Sequence, residues 1–394
     1  MVKSRQFILN SWIASGMTCV ILFTPQSLVA DYSTFEPALH VKTLHNDNLL
    51  LESQKDSGIE TTTTLEGEMG YFTETSSLNS IFKLQKYNYR GVRTLSNRDD
   101  YTLGLIGVKH NERNTWRVDV KGIQDSTATD ILDIEPDDIG GDVGEIQDDV
   151  KRQRYYISPS WRHDITEKSQ IDLRYNYSDL QYDNSSKTNL VESNNHNVTT
   201  TYFVGIDEQN TLLTNISGSY FESDNNSEYE IATINMGNIH RFDELSSARI
   251  LVGYYSLEAE VPGLKDNDNN FLFEISGQYD KDTTSVFVSA ERILVPGNSG
   301  DVFARNQIRF NLSGMLMLSW SYNIEGRHYR NQSIIKEISD NTRRQTSIRT
   351  SLGWQISNIF DINLGYHYKR QKESTKANSN AIFMVFNYKD LFSN

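Results

Sequence analysis

The stretch Thr115-Trp116-Arg117-Val118-Asp119-Val120-Lys121-Gly122-Ile123 decides the fold. Its apolar members Trp116, Val118 and Val120 interleave one by one with Arg117, Asp119 and Lys121. Successive side chains of an extended strand point to opposite faces, so this segment has one apolar and one charged face. A helix would scatter both sets around its circumference. The same period of two sets Ile171, Leu173, Tyr175 and Tyr177 against Asp172, Arg174 and Asn176. It also sets Phe360, Ile362, Leu364 and Tyr366 against Asp361, Asn363, Gly365 and His367. A face that carries charge in nearly every strand cannot form a dry core. It can line a water-filled lumen while the apolar face meets lipid, which is the signature of a membrane barrel.

Outward from this segment, eighteen strands are expected, centred near residues 40, 66, 82, 104, 118, 157, 174, 201, 216, 232, 252, 275, 288, 308, 321, 350, 364 and 384. Clear outward sets include Tyr101, Leu103 and Leu105; Ile250, Val252 and Tyr254; Phe271, Phe273 and Ile275; and Leu318, Trp320, Tyr322 and Ile324. Short connections such as His110–Arg113, Ser313–Met315 and Ser357–Asn358 alternate with long ones such as His45–Gly58, Gln124–Val150, Leu257–Asn269 and Lys369–Ser379. That alternation fits short periplasmic turns and long extracellular loops, with both termini in the periplasm and an even strand count. Hydrocarbon offers no water to an open sheet edge, so the last strand must pair with the first. The expected fold is therefore all-β, a closed antiparallel transmembrane β-barrel of about eighteen strands over residues 31–394. Trp116, Tyr155, Trp161, Tyr177, Trp320, Tyr329, Trp354 and Tyr388 are expected at the interfacial girdles.

Composition removes the competing classes. Aromatic residues make up 11% of the chain, too many for a disordered one. No apolar run beyond residue 30 approaches the ~20 residues that a spanning helix needs. Residues 1–30 read as a signal peptide, with Lys3 and Arg5 before the mostly apolar stretch from Phe7 to Phe23 and Ala30 at the expected cleavage position. The single cysteine, Cys19, falls inside it. Without that segment the chain has 36 bases against 52 acids, a net −16, which argues against a nucleic-acid partner.

No catalytic motif stands out: there is no nucleophile elbow, zinc helix or phosphate-binding glycine loop, so a non-enzyme with no cofactor and no metal is expected. The stretch from Gln124 to Val150 holds ten acids, Asp125, Asp130, Asp133, Glu135, Asp137, Asp138, Asp142, Glu145, Asp148 and Asp149, and no base. It reads first as a solvated loop and second as a cation-binding or mouth-covering one. Asp266-Asn267-Asp268-Asn269-Asn270 begins like a calcium loop, but Phe271 and Gly277 stand where the glycine and the terminal glutamate belong. The informative surface is the inward face. Parity places Arg117, Asp119, Lys121, Arg154, Arg162, Asp172, Arg174, Arg249, Glu274, Glu291, Arg309, Glu325, Arg327, Arg349 and Asp361 on it. Such mixed signs serve cross-strand ion pairs as readily as a selective path.

The opening Phe35-Glu36-Pro37-Ala38-Leu39, continuing through Val41 to Asp47-Asn48-Leu49 and the strand from Glu60 to Tyr71, resembles the β-barrel porin 2 group of outer-membrane proteins, many of them associated with exopolysaccharide or exosortase systems. The resemblance implies an outer-membrane barrel with a role in export or assembly of surface polysaccharide. It carries over no site residue. Barrels of this kind often end in an aromatic residue, whereas Phe392 is followed here by Ser393 and Asn394. The leading expectation is an outer-membrane channel. Its expected partners are membrane lipid and lipopolysaccharide, together with a polysaccharide or its export proteins. The alternatives are a general diffusion porin, or a plugged barrel serving as surface receptor or scaffold.

Overall fold

In a computed structural model of the chain, the described residues are 32–51, 55–92, 95–128, 149–183, 190–297, 299–335, 342–372 and 376–389. The signal segment and the acids Asp130, Asp133, Glu135, Asp137, Asp138, Asp142, Glu145 and Asp148 lie outside them.

Eighteen strands follow in chain order: β1 (Tyr32–Asn46), β2 (Gly58–Phe72), β3 (Ser76–Arg90), β4 (Arg98–His110), β5 (Asn114–Ser126), β6 (Lys151–Thr166), β7 (Ser169–Tyr182), β8 (Ser193–Gly205), β9 (Asn210–Ser223), β10 (Ser227–Arg241), β11 (Ser246–Val261), β12 (Leu264–Lys281), β13 (Thr284–Pro296), β14 (Val302–Met317), β15 (Trp320–Ser333), β16 (Thr342–Ser357), β17 (Phe360–Lys372) and β18 (Lys376–Lys389). Each pairs antiparallel with its sequence neighbours, and β1 pairs with β18. The sheet is therefore a closed barrel, as the alternation predicts.

One parity runs around the whole circuit. Trp116 lies opposite Trp161, Ile250 opposite Ile275 and Leu364 opposite Met384, all outward. Leu103, Val252, Phe271, Ile308, Leu364 and Ile382 are exposed on that outer wall. A continuous apolar belt of this kind would be costly in water and is stable against lipid tails. At the short-turn end it closes with two cross-strand indole stacks, Trp116 on Trp161 at 5.6 Å and Trp320 on Trp354 at 5.8 Å. These are girdle positions, where an indole's apolar body and polar N–H are both served.

The closing seam is held by side chains at the ends of β1 and β18. β1 and β18 pair from Ala38 with Lys389 to Asn46 with Ala381. Above the last pair, the Asp47 carboxylate accepts the backbone N–H of Asn380 at 2.7 Å and its side-chain amide at 3.0 Å. The side-chain amide of Asn48 donates to the carbonyl of Asn378 at 3.0 Å, and the Ser379 hydroxyl donates to Asn46. Together they clasp the seam.

Three expectations need correction. Leu257–Asn269 is not a long connection: β11 and β12 continue through it and turn on Pro262 and Gly263, the latter at φ +85. Proline presets the first turn position and glycine takes the left-handed second. The run Asp266 to Asn270 reads as loop because its residues favour turns, yet it pairs with Tyr255 to Ala259 along the hairpin. Second, the turn placed at Ser313–Met315 lies at Leu318 and Ser319, because β14 runs on to Met317 through an irregularity between Met315 and Met317. Leu318, expected on the outer wall, sits on that turn and is 93% exposed. Third, Tyr329 faces inward rather than joining a girdle: it is buried and donates to Gln345 at 2.8 Å.

Candidate functional site

The inward face of the barrel gathers dense charge inside a sheltered space. Its lower part, toward the short turns, is open. Arg117 and Asp119, two residues apart on β5 and therefore on one face, form an ion pair at 2.9 Å with side chains 47% and 36% exposed. Arg162 on β6 meets Asp172 on β7 at 3.3 Å, and Arg249 on β11 meets Glu274 on β12 at 3.4 Å. Lys121 and Arg174 point into the same space and are exposed, with no carboxylate within 4.0 Å among the described residues. Asp361 accepts from Asn363 at 2.7 Å and from Asn387 at 2.6 Å, and Asn387 in turn meets His40 at 2.7 Å.

On β13 to β16 the lining becomes basic. Arg309 pairs with Glu291 at 2.7 Å, while Gln307 donates to the same carboxylate at 2.6 Å. Arg327 donates to Gln307 at 3.0 Å and lies over the Tyr329 ring at 5.2 Å. Arg349 stacks over Phe383 at 4.8 Å, and Glu325 accepts from Asn323 at 2.6 Å. Inward atoms such as Asn79 Oδ1, Asp119 Oδ1, Arg327 Nε and Asn331 Nδ2 have no protein hydrogen-bond partner. Buried polar atoms go unpaired only at a cost, so these positions call for water. A different wall runs over β8 to β10. Asn195, Asn197, Thr199, Thr201, Asn215, Ser217, Ser219, Thr233 and Asn235 face inward there without a charge among them. They are linked by short bonds such as Asn197 to Ser219 at 2.6 Å and Ser217 to Thr233 at 2.6 Å.

Toward the loop end, two apolar clusters form among the described residues. Leu49, Leu50 and Leu51 of the β1–β2 connection pack with Leu95, Ala128 and the wall residues Leu44, Ala381 and Phe383. Leu51 holds φ +53, an uncommon conformation for a residue with a Cβ, and its burial keeps it there. Across the barrel, Phe221, Tyr229, Tyr255, Leu257, Val302 and Ile335 form a second apolar cluster. Tyr255 donates to Asp268 beside it. The β13–β14 connection reaches over to β9 and β10, where Ser223 donates to the carbonyl of Gly300 and Asn225 to that of Ser299, both at 3.4 Å. Burial pushes the Asp301 carboxyl above its ordinary value, with Ser299 and Tyr229 pulling the other way. Burial likewise works against charge on Asp47, but Lys55 at 2.7 Å and the Asn380 bonds outweigh it and hold that carboxyl low.

Between the pads lies a charge cluster whose hub spacing alone did not reveal. Asp125 accepts from Arg152 at 2.7 and 3.1 Å and from Arg154 at 2.5 Å, with the Arg152 side chain fully buried. Asp125 belongs to the acidic stretch read as solvated loop, yet it lies in β5, next to its end at Ser126, and faces inward, in register with Arg152. Nearby, Arg98 donates to Asp100 at 3.3 Å and to Tyr89 at 2.8 Å, and lies over the Tyr87 ring at 4.2 Å. Asp149 sits 3.7 Å from Arg98 and accepts from Ser126. The only forewarning was that inward positions of adjacent strands carry opposite charge, which needs the register to be known. Among the described residues no group of three His, Cys, Asp or Glu side chains is placed to hold a metal ion.

With this geometry in hand, the barrel can be set beside solved structures. No family model and no curated protein matches the chain. It is similar to OccK5 (OpdH) of Pseudomonas aeruginosa, with TM-score 0.53 and 8% identity over 92% of this chain and 99% of that one. It is similar to the outer membrane protein opdK of Pseudomonas aeruginosa, with TM-score 0.52 and 9% identity over 92% and 100%. OccAB2 of Acinetobacter baumannii gives TM-score 0.51 and 7% identity over 93% and 100%. The likeness is one of fold. It runs over nearly the whole of each barrel, so strand number and closure are shared while the lining is this chain's own.

Proposed function

We propose that the chain is an outer-membrane channel that lets hydrophilic solutes pass by diffusion, with its short turns in the periplasm. The observation that carries this reading is the lower lumen, where Arg117, Asp119, Lys121, Arg162, Arg174 and Arg249 are charged, inward and largely exposed inside an apolar belt. Barrels of about sixteen to eighteen strands enclose an aqueous path. A polar wall replaces part of a solute's hydration, removing the desolvation barrier that the bilayer imposes. The fold shared with the outer membrane protein opdK supports the location.

A second reading, passage of a neutral sugar chain, agrees with the resemblance at Phe35–Leu49 and is favoured by the uncharged amide and hydroxyl wall of β8 to β10. Such groups exchange hydrogen bonds with sugar hydroxyls without a charge to desolvate. The test for both is the purified barrel in planar bilayers. Discrete conductance steps that neutral oligosaccharides interrupt support the sugar path, and steps that they do not interrupt support the general channel. A barrel that never conducts overturns both and leaves a plugged receptor or scaffold.

A further inference from the structure

The outer wall above the apolar belt is divided by charge in a way that channel function does not require. On β15 to β18 the outward residues Arg330, Arg344, Lys372 and Lys376 are direct neighbours: Arg330 pairs with Arg344, Arg344 with Lys372, and Lys372 with Lys376. Arg370 and His328 flank Thr346 in the row beneath. The row continues through Asn306, opposite Arg330, to Arg292, which donates to Asn306 at 3.4 Å. Arg344, Arg370, Lys372 and Lys376 are exposed, and among the described residues none of these four, nor Arg330, has a carboxylate within 4.0 Å.

Like charges directly opposite on adjacent strands repel, so an uncompensated row of this length is unfavourable by itself. The described outward faces of β13 to β18 supply no acid. In sequence, the connections above the row add Lys336, Glu337, Asp340 and Glu373, which lie outside the described residues and leave base in excess. The opposite side of the barrel carries the reverse sign, with Glu222 opposite Glu228, Glu228 opposite Glu260, and Glu230 opposite Glu258. There Lys265 relieves Glu260 at 2.6 Å.

Height above the belt identifies what would meet the bases. Arg344 lies four residues beyond the outward Ile348, and Lys372 four beyond the outward Tyr368, which pairs with Ile348. At ~3.3 Å per residue and a strand tilt of about 40°, that is roughly 10 Å above the last large apolar side chains, the depth of lipid headgroups. We infer that β15 to β18 form a binding face for phosphate-bearing headgroups of the surrounding outer leaflet. This inference rests on the membrane location proposed above. Guanidinium groups match phosphate oxygens in two-pronged fashion, and clustered bases on a membrane surface draw anionic lipid. The phosphates would relieve the repulsion within the row, so the bound lipid would act as part of the wall.

The experiment titrates the purified barrel in detergent with diphosphoryl lipid A and reads retention by native mass spectrometry, beside its dephosphorylated form with the same acyl chains. The expected result is retention of the phosphorylated lipid that falls by at least about tenfold in R344Q/R370Q/K372Q/K376Q. It should stay unchanged in E222Q/E228Q/E260Q. Equal retention by the basic-row variant, or equal retention of the dephosphorylated lipid, overturns the inference. Displacement by inorganic phosphate at millimolar concentration also overturns it, because the site would then belong to a free anion. Conductance is recorded on the same preparations. A variant that conducts like the parent shows the barrel folded, and a parent that fails to conduct while binding lipid A counts against the channel alone.

Discussion

The two ends of the lumen use the same chemistry to opposite effect. Near the short turns, Arg117 and Asp119 pair with about half and a third of their side chains in the open lumen. Near the loops, Arg152 and Asp125 pair at 2.7 Å with 0% and 4% exposed. A hydrated pair gives up little when broken, because water takes over each partner. A buried pair cannot be broken without stranding a charge. The lower ladder is thus open to water, and the upper cluster is committed to bracing the ends of β4 to β6. Listing inward charges treats the two alike; burial separates them.

The largest effect that would break this contrast is predicted for Asp125→Ala. It leaves Arg152 and Arg154 without the carboxylate between them, and the barrel should lose about 3–5 kcal/mol in denaturant unfolding from lipid vesicles. A loss below ~1 kcal/mol would mean that water already reaches the cluster. Next comes Leu49→Ala in the pad that packs on Ala381 and Phe383. Removal of a buried leucine typically costs about 2–5 kcal/mol. Here it should appear as loop opening: earlier proteolysis within residues 47–57 and a higher single-channel conductance. Unchanged conductance would show that the pad rests against the wall without narrowing the path.

What the sequence could show divides along the same line. The belt and the inward face obey a period of two that sterics imposes on every strand, so Trp116, Val118 and Val120 announce their side without knowledge of their neighbours. Strand ends follow other rules. Asp266 to Asn270 have the composition of a loop, but Leu257, Ala259, Val261 and Leu264 on the inner face of the same hairpin are apolar, and their burial against Val302 and Ile335 keeps the polar run extended. Tyr329 has the residue type and strand-end position of a girdle residue, whereas parity with Arg327 puts it inside. The Asp125 hub and the Asp47 clasp link residues 27 and 333 positions apart, and nothing local encodes such a partner.

The seam offers a smaller and pH-dependent effect. With its carboxyl held low, Asp47 contributes its full share at any pH above the ordinary carboxylate value, and that share disappears as pH falls through the lowered value in the folded barrel. Asp47→Asn should therefore cost about 1–2 kcal/mol at neutral pH, where the ion pair to Lys55 and the charge-assisted bonds to Asn380 are lost. The parent should lose this advantage in acid, so unfolding midpoints of the two converge as pH falls below the carboxylate range. Curves that stay parallel would assign the clasp to Asn48 and its bond to Asn378.

The smallest stability change is predicted where the functional change is greatest. Arg117→Glu removes an exposed partner from Asp119 and should shift the unfolding free energy by no more than about 1 kcal/mol. The substitution nevertheless turns one inward cation into an anion beside Asp119, within reach of the lower path. The ratio of cation to anion permeability, read from the reversal potential across a salt gradient, should move toward cations. Screening limits each charge to about a Debye length, ~10 Å at 0.1 M salt, so the shift should shrink as salt rises. The same reversal at Arg152 should instead destabilise the barrel by several kcal/mol, since Glu there would face Asp125 in a buried site. If Arg117→Glu left selectivity unmoved at low salt, ions would not be passing beside β5, and the open lower ladder would be a hydrated vestibule rather than the path.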